Sequence, residues 1–186
     1  IAIKNRSSAA NWFVMVDIGT TYYKYGHFNT TAALADATAQ PVSSTTVTLG
    51  NNNAWFGANG DDYVAYCWAP VAGYSAFGSY TGNGSNDGPF VHTGFRPSWL
   101  MIKRTDSTSN WVIIDAARSS FNEVNDLLYA EQSLAETVDD GNNGIDFLSN
   151  GFKLRKGVGG TNVNGATLIY IAFALNPFQT NNGIAR

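Results

Sequence analysis

The chain is expected to fold as an all-β protein, an antiparallel β-sandwich built from two sequence-related halves. Three observations predict this. Short runs such as Ile1-Ala2-Ile3-Lys4 and Trp12-Phe13-Val14-Met15-Val16-Asp17 alternate or concentrate apolar residues as strands do. The composition, with 19 Gly and 13% aromatic residues, suits many short strands joined by tight turns, because Gly and Asn accept positive φ while aromatics fill pleated faces. Finally, the landmarks of the first half return in the same order in the second.

The first unit, residues 1–77, opens with a hairpin whose strands flank a polar turn from Asn5 to Asn11. The second unit, residues 99–178, repeats the design in Trp99-Leu100-Met101-Ile102-Lys103-Arg104 and Trp111-Val112-Ile113-Ile114-Asp115. Ile3-Lys4 and Asn11-Trp12 map onto Ile102-Lys103 and Asn110-Trp111 at one constant offset. At a second offset, Val47-Thr48-Leu49 and the run from Asn59 to Ala69 map onto Phe152-Lys153-Leu154 and the run from Asn164 to Ala174. Leu34-Ala35 pairs more loosely with Leu134-Ala135. Each unit closes on a strand pair, and Asn59-Gly60 and Asn164-Gly165 mark turns before the most apolar strands, which are expected at the centre of the core.

Between the units, residues 78–98 lack a copy and carry Gly78, Gly82, Gly84, Gly88 and Gly94. This inserted crossover is expected to run as an ordered strand or extended segment anchored by Tyr80, Phe90 and Phe95. Ser120 as a cap, with Phe121, Val124, Leu127, Leu128 and Leu134 near helical spacing, predicts one or two short helices over residues 120–136. Residues 179–186 form a polar tail, and one compact domain is expected overall. The chain opens inside a strand at Ile1, so residues upstream are expected as well.

Charged residues make up 13% of the chain, about half the typical ~25%. A net charge of −3 offers no field for phosphate backbones, and Lys and Arg form no patch longer than Lys103-Arg104 or Arg155-Lys156, so nucleic acid is not an expected partner. The longest apolar run, Leu168 to Leu175, is far short of the ~20 residues of a membrane helix, and no membrane insertion is expected.

No catalytic or metal-binding signature stands out, and no cofactor is expected. His27 and His92 lie in no nucleophile or metal motif and read as ordinary surface or loop residues. Asp17 and Asp115 end equivalent strands, and Asp115 with Arg118 reads as a salt bridge or turn cap. Lys156-Gly157-Val158-Gly159-Gly160-Thr161 resembles a phosphate loop but places its Lys before the glycines and a strand afterwards, so it reads as a hairpin turn. Asp139 to Asp146 has oxygens for calcium without EF-hand spacing and reads as a solvated loop. Asp61-Asp62 is replaced by Ala166-Thr167 at the equivalent place of the second unit and reads as a charged turn. Cys67, the single cysteine, reads as a buried, inert thiol. Trp12 and Trp111 are equivalent, and Trp68 matches Phe173, which assigns these rings to the core.

Trp55 and Phe56 are different, because the counterpart of their loop in the second unit has no aromatic. Beside Asn52 and Asn53, they suit glycan binding, with a ring stacked on a sugar face and amides bonded to hydroxyls. A plug at a subunit contact or at the open end of the sandwich is the competing reading.

Several stretches resemble the C-terminal repeats of bacteriophage tail-associated proteins, especially those of podoviruses. They are Tyr63 to Pro70, Gly73 to Ser85, Gly88-Pro89-Phe90-Val91, Gly94-Phe95-Arg96-Pro97, Ile102-Lys103-Arg104 with Asn110-Trp111, Phe147 to Leu154, and the ending Ala172-Phe173-Ala174-Leu175-Asn176-Pro177-Phe178. Leu175 departs from the pattern, where an acidic residue is common. The resemblance implies a location more than a chemistry: the C-terminal β-rich domain of a tail fibre or related virion protein, serving assembly or host-surface attachment. It assigns no functional residue. On this reading the partners are identical subunits, as homotrimers, with other virion proteins and a host-surface glycan. A head decoration or head-fibre protein and a glycan-degrading depolymerase are the alternatives.

Overall fold

The computed structural model describes residues 1–19, 23–37, 43, 45–47, 59–138 and 141–175. Thirteen strands in three antiparallel sheets make up these residues. In chain order they are β1 (Ala2–Asn5), β2 (Phe13–Val16), β3 (Tyr23–His27), β4 (Ala35–Ala37), β5 (Tyr63–Tyr66), β6 (Ser75–Thr81) and β7 (Phe90–His92). There follow β8 (Pro97–Arg104), β9 (Trp111–Asp115), β10 (Leu127–Tyr129), β11 (Ile145–Leu148), β12 (Gly151–Leu154) and β13 (Thr167–Ala174). The first sheet runs β4-β3-β2-β1-β5, the second β10-β9-β8-β13-β6, and the small third β11-β12-β7.

The second sheet is the middle layer because its strands are apolar on both faces, and the two-residue period of a strand separates those faces. Leu100, Ile102, Val112, Ile114, Leu168 and Tyr170 pack with Phe147, Phe152 and Leu154 of the third sheet. The alternate residues Met101, Trp111 and Ile169 pack with Val14 and Val16 of the first. Fully burying side chains of this size contributes about 1.5–3 kcal/mol each, so each interface is a substantial core.

The repeat seen in the sequence reappears as identical strand registers. Ile3 faces Phe13 on one side and Ala65 on the other, while its counterpart Ile102 faces Val112 and Tyr170. Met15 faces Tyr25 as Ile114 faces Leu127. The turns match too: the Trp12 amide donates to Asn29 Oδ1 at 2.9 Å, and the Trp111 amide to Glu131 Oε2 at 3.1 Å. Asn29 donates to Asn11 and Gln132 donates to Asn110, each at 2.9 Å. Gly60 and Gly165, at φ 88 and 74, turn the chain into β5 and β13 through the left-handed region that the Asn-Gly pairs anticipate.

Four expectations are corrected. Among the described residues, 120–136 holds no helix. Leu127–Tyr129 pairs with β9, Leu127 exchanges backbone bonds with Thr137, and Phe121 and Leu134 are 85% and 66% exposed. Pairing on the edge of β9 buries Val124 and Leu127 in the core of the second and third sheets, which an isolated helix would not do. Leu34 is buried and Leu134 is not, so that loose match has no structural counterpart. Lys156–Thr161 is a link between layers and not a hairpin turn, since β12 pairs in the third sheet and β13 in the second. Of the two closing strands, β13 is central while β5 is an edge, because β6 covers the outer side of β13 and no described strand does so for β5.

Residues 78–98 are ordered, as expected, with β6 and β7 joined to different sheets. Tyr80 donates its hydroxyl to Thr161 O at 2.6 Å and meets the Phe152 ring edge-on, and Phe95 is buried. Phe90 is 45% exposed, so it lies over the surface and is not an internal anchor. The stretch from Asn83 to Ser85 is tied down by the fully buried Asn162. Its Nδ2 donates to Asn83 Oδ1, Ser85 O and Lys156 O at 3.2, 2.8 and 2.9 Å, and its Oδ1 accepts the Asn83 amide at 2.9 Å. Replacing Asn162 with Ala leaves these groups without a buried partner, and Asn162→Ala is expected to lower the unfolding free energy by about 2–4 kcal/mol in a denaturant titration.

Candidate functional site

The residues singled out for glycan binding, Asn52, Asn53, Trp55 and Phe56, lie outside the described residues. Another group of aromatics stands out among those that are described. Trp12, Tyr66 and Trp68 are 36%, 47% and 46% exposed, and they follow one another with ring centroids 6.2 and 6.1 Å apart. The Tyr66 and Trp68 planes differ by 19°, close to parallel.

Strand register explains how this row arises. Tyr66 is paired with Ala2, which is paired with Val14, so all three lie on the face of the first sheet that meets the second. Trp12 immediately precedes β2, and Ala2 is too small to separate its ring from Tyr66. Trp68 follows β5 and lines a small cavity of about 70 Å³ with Phe77, Ile171 and Val14, where the two sheets part.

The expectation that these rings belong to the core holds for Trp111 and fails for Trp12 and Trp68. Trp111 is 1% exposed, donates from Nε1 to His27 O at 2.9 Å, and meets the Phe28 ring at 4.8 Å. Residues 28–34 of the first unit thus cover the second unit's tryptophan, and among the described residues Trp12 has no matching cover. Cys67 is exposed and not buried, because it lies just beyond the end of the edge strand β5. The signal for the row was present in the repeat: Tyr66 stands where the second unit has Ile171, and a tyrosine in that place carries a polar tip.

Most of the other described candidates have hydrogen-bond or ring partners, and Asp139 and Asp140 lie outside the described residues. Asp115 accepts from Arg118 Nε at 2.6 Å and Arg118 also reaches Glu136 at 2.6 Å. Burial pushes the Asp115 carboxyl up, but the Arg118 guanidinium and nearby amides outweigh it and hold the group below its usual range. Asp17 accepts the Gly19 amide at 2.8 Å, and Asp61 accepts from Asn5 at 2.7 Å. Burial lowers the pKa of His27, whose ring meets Phe13 edge-on; His92 is exposed at the end of β7. Asp146 pairs with Arg155 at 3.4 Å, and Asn143 accepts from Thr161 at 3.1 Å. Among the described residues no three His, Cys, Asp or Glu side chains gather as a metal site. A hollow of about 270 Å³ lies where Thr31 of the first unit meets Thr108, Ser109, Asn110 and Tyr129 of the second.

Behind that hollow sits Lys103, the counterpart of Lys4 and fully buried. Its ammonium donates to Thr31 O at 3.2 Å and Arg104 O at 3.0 Å, and burial pushes its pKa down to about 8, with Glu131 opposing. A free lysine titrates at 10.5, so between pH 8 and 10.5 the unfolded chain holds the proton more firmly than the folded one and stability rises with pH. The unfolding free energy is expected to climb by about 3 kcal/mol through Lys103 across this window. Comparison of wild type with Lys103→Met in denaturant titrations at pH 7.5 and 10 checks it, since the variant lacks that contribution.

No curated protein and no solved structure matches the chain. A family model described as "Domain of unknown function (DUF7483)" matches residues 1–177, nearly the whole length. By that match the chain belongs to the DUF7483 family.

Proposed function

We propose that this domain is a virion structural module of a bacteriophage tail, a binding protein and not an enzyme, which attaches the particle to glycans on the host surface. The observation that carries the attachment reading is the Trp12–Tyr66–Trp68 row. Partly exposed rings that follow one another, with the Tyr66 and Trp68 planes close to parallel and Trp12 tilted by 33°, suit the apolar faces of successive sugar rings, and they cost little conformational entropy to order. The resemblance of Tyr63–Pro70, Gly73–Ser85 and the Asn176-Pro177-Phe178 ending to phage tail repeats supports the location. A surface poor in charge and rich in Asn, Ser and Thr suits hydroxyl-bearing ligands. Each such site binds weakly, and several identical subunits on one particle supply avidity.

The purified chain is expected to bind host surface polysaccharide on a glycan array and to compete with phage adsorption. Trp68→Ala is expected to weaken this binding at least tenfold while leaving the far-ultraviolet circular dichroism unchanged. Full binding by a folded Trp68→Ala variant would overturn the assignment of the row. Antibody against the chain is expected to label the tail in electron micrographs, and label spread over the head would favour a decoration protein.

A further inference from the structure

The two units differ in one respect that the duplication makes legible. In the second sheet, the outer side of β13 is occupied by β6 in seven register pairs from Thr167↔Thr81 to Phe173↔Ser75. The equivalent side of β5 carries no strand among the described residues. Arg6 donates to Asp62 O, so in the antiparallel pattern Asp62, Val64 and Tyr66 point their backbone groups at β1. Ala65 and Cys67 then point theirs outward, as their counterparts Tyr170 and Ala172 do towards Gly78 and Ala76 of β6. Ala65, Tyr66, Cys67 and Trp68 are all exposed.

Exposed edges are normally protected by a lysine, a bulge or a proline within the strand. The run Tyr63-Val64-Ala65-Tyr66-Cys67-Trp68-Ala69 has no charge and no proline before Pro70. Exposed large side chains lie in the run and against it: Tyr66, Trp68 and the neighbouring Trp12. We propose that the edge of β5 left open by the described strands pairs with β5 of a second copy of this chain across a two-fold axis, filling the place that β6 fills beside β13.

The neutral edge favours this occupant, because a two-fold axis sets each strand against itself and any charge near the axis would face its own like. With the axis at Tyr66, Ala65 of one copy pairs with Cys67 of the other and the reverse, completing the four outward backbone groups as hydrogen bonds. Tyr66 faces its own counterpart, and Val64 faces Trp68. The contact closes at two copies, so a three-fold assembly would have to use another surface. It also sets two aromatic rows side by side, but the pairing stands on backbone geometry and does not depend on what the rows bind.

Sedimentation equilibrium of the 186-residue chain tests the pairing. Wild type is expected to be a dimer, and Ala65→Pro, which removes an outward amide and no bond to β1, is expected to raise the dissociation constant at least tenfold. In a Cys67→Ser background, Tyr66→Cys is expected to give a disulfide-linked dimer on mild oxidation, because directly opposed residues of a non-hydrogen-bonded pair lie within disulfide reach. A monomer or trimer at all concentrations, or a dimer that forms no such crosslink, would overturn the proposal. A wild-type dimer that binds no glycan would count against the aromatic row alone.

Discussion

Strand β13 is the element on which the stack depends. It is hydrogen-bonded along both edges, to β8 and to β6, and it contributes to the cores on both of its faces. Leu168, Ile169 and Ala172 are all at or below 1% exposure, which a strand reaches only when neighbours surround it on four sides. The residue types follow from that position: an unbroken apolar run is the composition of a strand with no solvent face, and any polar side chain would need a partner there. Tyr170 packs its ring edge-on against Phe152, and Gly78 opposite it leaves room, since a Cβ at that glycine would lie 3.0 Å from the Tyr170 hydroxyl.

The duplication gives two copies of one scaffold with different surroundings. Trp12 and Trp111 begin matching strands and use matching amide bonds, yet one ring faces solvent and the other is sealed by Phe28. Lys4 and Lys103 hold the same register, but Lys103 alone is fully buried, its ammonium held by the carbonyls of Thr31 and Arg104. The asymmetry arises because the 28–34 segment of the first unit packs over the second. Leu34 donates its amide to Thr105, and Ser109 donates to Thr31. One unit is thereby buried as the centre of the protein, and the other keeps an edge and an aromatic row available for contacts.

Local signals in the sequence carried the parts of the fold that local physics decides. The opening hairpins, the Asn-Gly turns and the matches of Ile3 to Ile102 and of the run after Asn59 to the run after Asn164 correspond to observed pairing, because each is fixed by residues close in sequence or by strict alternation, while Thr48 and Leu49 of the remaining match lie outside the described residues. What was not legible required knowledge of which surface covers which. Leu127 looks helical by spacing with Phe121 and Val124, and only the presence of β9 beside it makes an extended strand better. Cys67 and Trp68 look internal by composition, yet they are exposed beside the outer edge of β5, which no described strand covers. The assignment of β12 to a third layer likewise depends on β7, which comes from an insert with no counterpart to align. The aromatic row was hidden by the same logic, since equivalence to Trp111 and Phe173 argued for burial.

The route of the chain through the second sheet also constrains its synthesis. Strand β6 precedes β8 but pairs with β13, roughly ninety residues later, so the middle layer cannot be completed until Thr167 to Ala174 have left the ribosome. At a translation rate of ~5–20 residues per second, β6 waits several seconds with its edge open, while β1 to β5 already have all the partners they use in the first sheet. The first unit can therefore serve as a template on which the nascent second unit condenses, and the glycine-rich connection keeps the waiting strand near its place. Crowding of many nascent copies at one time would expose those open edges to one another, so the same topology that seals the finished fold makes its production sensitive to the rate of expression.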